Sequence, residues 1–160
     1  MRIGVLSDSH ANSIDHIPKR IVDELSGVDL IVHAGDYTGK TLLEELRKLG
    51  NFKGVYGNMD SPEIRQQLPA LETIDVGGFR IGLNHPSEGG SASGIEERIR
   101  AKFPKINAII FGHTHRVKNE YLNGVLYFNP GSATGTFPAA MKTFGIIRVE
   151  GEMSGEILRV

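Results

Sequence analysis

The sequence predicts an α/β domain built on a mixed β-sheet system, and three observations support this fold class. Strand, polar loop and helix alternate twice in the first third of the chain, which is typical of a parallel sheet. Two glycine-containing turns after the first third of the chain indicate antiparallel hairpins. Hydrophobic residues make up 39% of the 160 residues, as in folded globular domains. Since no linker or repeat divides the chain, one domain over residues 1–160 is expected.

Three strands and two helices are predicted in the first third. The strands cover residues 2–6, 28–32 and 52–56. Apolar residues at helical spacing predict a helix over residues 13–25, with Gly27 in the position of a C-terminal cap. A second apolar face, over residues 42–49, precedes Gly50. Because the strands alternate with helices, we expect them to pair in parallel.

Antiparallel pairing is predicted to begin after Pro69, where the helical rhythm fades. The strands cover residues 72–76, 79–84, 106–111, 117–122, 125–128, 143–149 and 156–160. Gly77-Gly78 suits a tight turn between the first two of them, and Asn123-Gly124 is a strong hairpin signal. One further helix is expected over residues 95–103.

Composition excludes several classes of protein. The formal net charge is -1 and no long basic run is present, so no broad nucleic-acid surface is expected. The absence of cysteine excludes disulfides, iron–sulfur clusters and thiolate zinc sites. Nowhere do about 18 apolar residues run together, so no membrane association is expected and a cytoplasmic location is the default.

Metal-competent side chains follow the predicted strands. They are Asp8, His10, Asp36, Asn58, His85, His113 and His115. Singly, each is more typical of a turn, a helix cap or a packed histidine. In an extended segment, however, residues two apart face the same way, so one cation can collect both members of such a pair. Turn chemistry does not require histidine, yet four of the six histidines fall at strand ends, which favours a metal site.

The ordered motifs resemble those of the calcineurin-like metallophosphoesterases, specifically their small single-domain phosphodiesterase branch. They are Asp8-Ser9-His10, Gly35-Asp36, Gly57-Asn58, His85, Gly112-His113-Thr114-His115 and the closing Asn129-Pro130-Gly131-Ser132. The resemblance implies a four-layer sandwich of two mixed β-sheets flanked by helices. It also implies a two-metal site at the strand ends on one edge.

Ligand sets follow from the resemblance position by position. The first metal is expected on Asp8, His10, Asp36 and His115, and the second on Asp36, Asn58, His85 and His113. Asp36 would bridge the two ions, and Asp36, Asn58 and His10 are the catalytic candidates. Four protein ligands to each ion leave room for six-coordination, so Mn²⁺ is expected first, with Ni²⁺, Fe or Zn²⁺ as alternatives.

The function that the resemblance implies is a metal-dependent phosphodiesterase acting on a small phosphodiester through a metal-bridging hydroxide. A phosphomonoesterase using the same site is one alternative. A non-catalytic protein-binding scaffold, as the retromer subunit that resembles this family is regarded, is the other. Small members of the family are often dimers or tetramers, so the resemblance leaves a homodimer or a homotetramer open, and the sequence does not decide the oligomeric state.

Two residues depart from the family pattern. Met59 stands where many members carry a histidine that serves the leaving group, and a thioether cannot donate a proton. Pro86 stands where glycine is usual after the fifth ligand, and it is expected to alter the loop at the second metal. Three further expectations concern residues beside the motifs. Asp60 braces its loop, and His33 is packed or supports a ligand residue. Arg116 could pair with a substrate phosphate, but a surface carboxylate is the partner expected first. A flexible lip over the site is expected at residues 87–94.

Overall fold

The computed structural model describes residues 1–88 and 94–160, so the centre of the expected lip lies outside the described residues. The strands are β1 (Arg2–Leu6), β2 (Leu30–His33), β3 (Phe52–Gly54), β4 (Leu71–Val76), β5 (Phe79–Asn84), β6 (Ala108–Phe111), β7 (Lys118–Leu122), β8 (Val125–Asn129), β9 (Thr143–Val149) and β10 (Met153–Arg159). The helices are α1 (Lys19–Leu25), α2 (Lys40–Leu49), α3 (Pro62–Gln67) and α4 (Ile95–Lys102), with a 3₁₀ turn at Ile14–His16.

The described residues form two sheets, each with five strands and mixed pairing. The first sheet has the order β10-β9-β1-β2-β3, with β1, β2 and β3 parallel and β9 antiparallel to both β1 and β10. The second has the order β4-β5-β6-β8-β7, with β5, β6 and β8 parallel and the edge strands antiparallel. Both predicted turns form, and all four turn residues have positive φ.

Alternation along the strands produces four layers. Ile3 and Val5 of β1 pack with Leu83 and Ile110 of the second sheet in the core between the sheets. The outer face of the first sheet packs against α1, α2 and α3, and the outer face of the second sheet packs against α4. The four-layer sandwich of two mixed sheets flanked by helices is therefore confirmed.

The helix predicted over residues 13–25 is interrupted. A 3₁₀ turn ends at His16, Ile17 is extended with φ −84° and ψ 134°, and α1 begins after Pro18. Proline disfavours helical backbone in the residue before it, so Ile17 cannot continue the first turn. Gly27 does not adopt the left-handed conformation of a glycine cap, and Ser26 is the C-cap of α1 instead.

A short helix, α3, was not predicted. Its local signal is Ser61-Pro62: the Ser61 hydroxyl accepts a hydrogen bond from the Ile64 N–H at 3.4 Å, and proline occupies the first helical turn. Ile64 is buried against the first sheet, which fixes the loop that precedes α3. Within the residues described, no helix is both long and apolar enough to cross a membrane.

Candidate metal centre

The parallel strands of both sheets end at one edge of the molecule, and the predicted ligands follow them there. Asp8 and His10 follow β1, Asp36 follows β2, Asn58 follows β3, His85 follows β5, and His113 and His115 follow β6. Since the carboxyl ends of parallel strands lie on the same side of a sheet, five loops meet at one place.

Four of these side chains, those of Asp8, His10, Asp36 and His115, form a compact group. One candidate ligand atom from each lies within 4.8 Å of every other. Nε2 of His115 lies 3.3 Å from Oδ1 of Asp8 and 3.3 Å from Nε2 of His10. Nε2 of His10 lies 3.7 Å from Oδ2 of Asp36. The group has the composition that the resemblance assigns to the first metal.

Asp36 also faces a second group of side chains. Nε2 of His85 lies 3.3 Å from Oδ2 of Asp36 and 3.1 Å from Oδ1 of Asn58. The His113 ring meets the His85 ring edge-on, with centroids 5.3 Å apart, and the His113 N–H donates to the Asp8 carboxylate at 3.1 Å. Oδ2 of Asp36 therefore approaches histidines of both groups, as a bridging carboxylate would.

Pro86 does not keep His85 out of the site. The Ser87 N–H donates to the His85 carbonyl at 2.9 Å, which closes a tight turn around the buried Pro86. Proline suits the centre of such a turn because its φ is fixed near that of the turn, about −65°. The His85 residue is only 3% exposed, with its Nε2 directed at Asp36.

The backbone positions most of the ligands through left-handed conformations. The φ values are 49° at Asp8, 43° at His10, 61° at Asp36, 76° at His113 and 56° at His115. The expectation that ligands two residues apart converge because the segment is extended was wrong, since left-handed residues do not follow strand alternation. Positive φ is uncommon outside glycine and persists where the surrounding structure imposes it.

Glycine beside two ligands allows the loops to approach closely. A Cβ on Gly57 would collide with the Asp36 carboxylate. A Cβ on Gly35, whose φ is 94°, would lie 2.6 Å from Nδ1 of His85. These contacts leave no room for a side chain between the loops.

Backbone carbonyl groups fix the tautomers of two histidines. Nδ1 of His85 lies 2.7 Å from the Ala34 carbonyl oxygen, and Nδ1 of His115 lies 2.8 Å from that of Thr136. Because a carbonyl oxygen only accepts, each Nδ1 bears its proton and each Nε2 directs a lone pair into the site. Those lone pairs face carboxylate oxygens, which are also acceptors. Such a cluster of acceptors needs a positive charge, supplied by a proton or a metal ion.

The pKa shifts report the same demand for positive charge. Burial lowers the pKa of His85, but the hydrogen bond to Asp36 and the neighbouring negative charges outweigh it and raise the pKa overall. The hydrogen bond to Asp8 is the largest cause of the raised pKa of His115. Burial by itself would raise the pKa of Asp36. The hydrogen bonds from His85 and the Met59 N–H outweigh burial, so the net pKa lies below its usual value and the carboxyl stays ionised.

Comparison with known proteins identifies the family. The profile of the calcineurin-like phosphoesterase superfamily domain matches residues 1–152. The chain belongs to this superfamily. A probable metallophosphoesterase of Methanothermobacter thermautotrophicus is 34% identical, with 99% of this chain and 92% of the relative aligned. A phosphodiesterase of Methanocaldococcus jannaschii is 25% identical, with 99% of each chain aligned.

Solved structures share the fold over the whole chain. Vps29 of Chaetomium thermophilum has a TM-score of 0.81 and 21% identity, covering 100% of this chain and 97% of its own. An archaeal phosphodiesterase has a TM-score of 0.78 and 24% identity, covering 99% of this chain and 100% of its own. Calcineurin-like phosphoesterase folds thus occur both in proteins described as phosphodiesterases and in vacuolar sorting proteins.

Asp60 ties together two ligand-bearing loops of this phosphoesterase fold. Its Oδ2 accepts from the N–H groups of Asp36 at 3.0 Å and Gly57 at 2.7 Å. Its Oδ1 accepts from the N–H groups of Tyr37 at 2.7 Å and Thr38 at 3.0 Å. Burial raises the pKa of Asp60, whereas the N–H donors favour the ionised form. The bracing role expected from the sequence extends to the loop of Asp36.

Residues 129–136, which begin with the closing motif at residues 129–132, hold the other ligand loops. Ser132 donates to the Asp8 carbonyl at 2.7 Å, and Nδ2 of Asn129 donates to Thr114 Oγ1 at 3.1 Å. The Thr136 carbonyl orients His115. The motif is visible in the sequence, but its role in holding the ligand loops was not predicted. The small polar residues grouped in this segment are the sequence feature that indicates that role.

His33 is packed, as expected, and the structure also keeps it neutral. Its Nδ1 accepts from the Gly35 N–H at 3.2 Å, its Nε2 lies 2.8 Å from Ser9 Oγ, and its ring stacks on Tyr37 at 3.8 Å. Burial is the main cause that lowers the pKa of His33 to about 3, with the charge of His85 adding to it. A lone pair on Nδ1 and a proton on Nε2 satisfy both partners without a charge.

Acid is therefore expected to destabilise the protein through His33. Between pH 6.5 and about 3 the unfolded chain binds a proton that the folded chain excludes. Because of His33, each decrease of one pH unit within this window should lower the free energy of unfolding by about 1.4 kcal/mol. Urea unfolding of chelator-treated protein between pH 6 and 4 should show a shallower pH dependence in His33→Gln than in wild type. His16→Gln, which changes an exposed histidine, is the control, and equal slopes in wild type and His33→Gln would contradict the assignment.

Proposed function

We propose that this protein is a metal-dependent phosphodiesterase that hydrolyses a small phosphodiester at a dinuclear site. The ligand sets are those expected from the sequence, with Asp36 shared between the two ions. Asp36, Asn58 and His10 are the residues proposed to contact both the ions and the reacting groups. We also propose that residues 1–160 form one domain, since both sheets contribute ligands to the site.

The observation that supports this proposal most strongly is the position of Asp36 Oδ2. It lies 3.7 Å from Nε2 of His10 and 3.3 Å from Nε2 of His85. The His85 nitrogen bears a lone pair when the ring is neutral, since its Nδ1 proton is held by a carbonyl oxygen. A carboxylate oxygen that lies between histidines of two ligand groups is better placed to bind two cations than to bind a single cation.

Charge balance makes the site suitable for a phosphate ester. Only Asp8 and Asp36 among the seven ligands are anionic, so two divalent ions would keep a net positive charge. Bound metal ions supply a water nucleophile near neutral pH and electrostatic stabilisation of the phosphoryl oxygens. The neutral histidines and Asn58 hold the ions without cancelling that charge. An anionic diester is therefore attracted to the edge where the five loops meet.

Hydrolysis of a diester requires one water molecule. The water oxygen forms a bond to phosphorus, one ester P–O bond breaks, and one water proton ends on the departing alcohol while the other leaves with the monoester or to solvent. Met59 contributes only its N–H, to Asp36 at 2.8 Å, and its side chain is 59% exposed. Since a thioether donates no proton, substrates with good leaving groups should react fastest.

Mn²⁺ is the metal proposed first, because Asp, Asn and His ligands with open positions suit six-coordination. Ni²⁺, Fe and Zn²⁺ are the alternatives. A Vps29 structure of Entamoeba histolytica is described as complexed with Zn²⁺, at 24% identity and a TM-score of 0.78, so this fold accommodates that ion.

Two other functions compete with this one. A phosphomonoesterase would use the same residues and differ only in preferring a dianionic substrate. A protein-binding scaffold is supported by the likeness to Vps29 and by exposed apolar side chains, including Phe137 at 89% and Val117 at 51% exposure. All seven ligand positions nevertheless hold competent donors, which favours the enzyme.

A chromogenic assay tests the proposal. Chelator-stripped protein should hydrolyse bis-p-nitrophenyl phosphate only after Mn²⁺ is added, and more efficiently than p-nitrophenyl phosphate. Higher kcat/KM for the monoester would indicate the phosphomonoesterase instead. Absence of turnover with Mn²⁺, Ni²⁺, Fe²⁺ and Zn²⁺, despite binding of two ions, would reject catalysis and favour the scaffold.

A further inference from the structure

A cavity of about 420 Å³ adjoins the candidate metal centre, and His115 contributes to its wall. The volume lies within the range of small-molecule sites, roughly 300–1,000 Å³. Val117, Met141 and Ile157 contribute an apolar wall, and Arg116 and Arg159 are the cationic residues of its lining. The cavity thus combines an apolar surface with two guanidinium groups next to a predicted metal ligand.

Among the described residues, neither arginine has a partner for its charge. Within residues 1–88 and 94–160, neither the Arg116 nor the Arg159 guanidinium makes an ion pair or a hydrogen bond. The expectation that Arg116 pairs with a surface carboxylate was therefore wrong for the part of the chain described. Elsewhere the exposed Arg80 and Arg148 pair with Asp75 and Glu156.

The lining also offers no carboxylate to either arginine, since no described residue of the cavity is acidic. Arginine presents a planar fork of donors that matches phosphate, and its weak hydration suits a partly apolar site. Two unpaired guanidinium groups beside an apolar wall fit a phosphate attached to an apolar or planar group. A neutral or cationic ligand would leave both charges unmatched.

We infer that this cavity binds the part of the substrate that does not react, and that this part bears a second phosphate. The substrate class is a nucleotide-sized phosphodiester with an additional phosphomonoester group. This inference rests on the proposed function. The apolar wall takes the base and sugar, the arginines take the second phosphate, and His115 links the cavity to the scissile diester.

Equilibrium binding tests the cavity without chemistry. Calorimetry on chelator-treated protein should show that thymidine 3′,5′-bisphosphate binds at least about tenfold tighter than thymidine 3′-monophosphate. A tenfold ratio of dissociation constants corresponds to about 1.4 kcal/mol of binding free energy. Arg116→Met and Arg159→Met should each bring the two dissociation constants closer together. Arg148→Met removes the same charge from an exposed ion pair outside the cavity lining and should preserve the ratio. An equal affinity for both ligands in wild type, or a ratio unchanged in both cavity variants, would overturn the inference.

Turnover distinguishes a failure of the cavity assignment from a failure of the proposed function. Metal-loaded protein should cleave 5′-phosphorylated thymidylyl-thymidine with a lower KM than thymidylyl-thymidine, and the difference should shrink in Arg116→Met and Arg159→Met. Equal KM values with active enzyme would remove the inference and leave the proposed function intact. If neither dinucleotide nor bis-p-nitrophenyl phosphate is cleaved with any of the four metals, the proposed function fails and this substrate assignment fails with it.

Discussion

Asp36→Asn is expected to lower kcat/KM for bis-p-nitrophenyl phosphate by about 10³-fold or more, corresponding to about 4 kcal/mol of transition-state stabilisation. The carboxylate has a separate task for each oxygen. Oδ1 accepts from the Met59 N–H at 2.8 Å, and Oδ2 approaches both His10 and His85. An amide that keeps its oxygen at Met59 would direct an NH₂ group at the histidines. That donor would repel a cation from the position shared by both ligand groups.

Two measurements check this result. Metal analysis after dialysis should fall from two ions per chain to one or none, and activity should not return at high Mn²⁺. Asp75→Asn makes the same change at an exposed carboxylate paired with Arg80, and it should behave as wild type. Activity within tenfold of wild type together with two bound ions in Asp36→Asn would show that Asp36 does not bridge a metal pair.

Asp60→Asn is expected to reduce the free energy of unfolding by about 3 kcal/mol, the scale for breaking a buried charged hydrogen-bond network. Each Asp60 oxygen accepts two N–H groups, from Asp36 and Gly57 on one side and from Tyr37 and Thr38 on the other. Asparagine must turn its NH₂ group toward one of these pairs. Two backbone N–H groups then lose their acceptor oxygen and face the asparagine NH₂ group, which is another donor. Because Asp60 is only 4% exposed, water cannot take the place of the lost acceptor.

Urea unfolding of chelator-treated protein measures this loss without interference from metal binding. Metal affinity should also fall by roughly 10–100-fold, as is typical when a group that orients a ligand is removed. Asp23→Asn, at an exposed carboxylate paired with Lys19, is the matched control and should change stability by less than about 1 kcal/mol. A loss for Asp60→Asn no larger than that of the control would mean that the four hydrogen bonds do not hold the loops.

The local part of the site was predictable from the sequence. Buried apolar strands that stop at a polar residue are visible in the chain, so the positions of Asp8, Asp36 and His113 at strand ends followed from local patterning. The turn at Gly77-Gly78 was predictable for the same reason, since the requirement for positive φ belongs to the turn itself. The start of α3 is also indicated locally, by Ser61-Pro62, although this helix was not predicted.

The sequence by itself determined the alternation of elements, the seven candidate donors and their order. Only the tertiary structure decided the left-handed backbone at His10, the four N–H groups on Asp60 and the meeting of Arg116 with Arg159 at one cavity. The physical reason is range. Strand and turn propensities act over a few neighbouring residues, whereas strand pairing and the packing of the two sheets bring together residues more than 20 positions apart, such as Asp60 with Asp36 and Arg116 with Arg159. The residues next to a carboxylate or an arginine in the sequence do not indicate its partner, because the partner comes into contact only when the two sheets pack together.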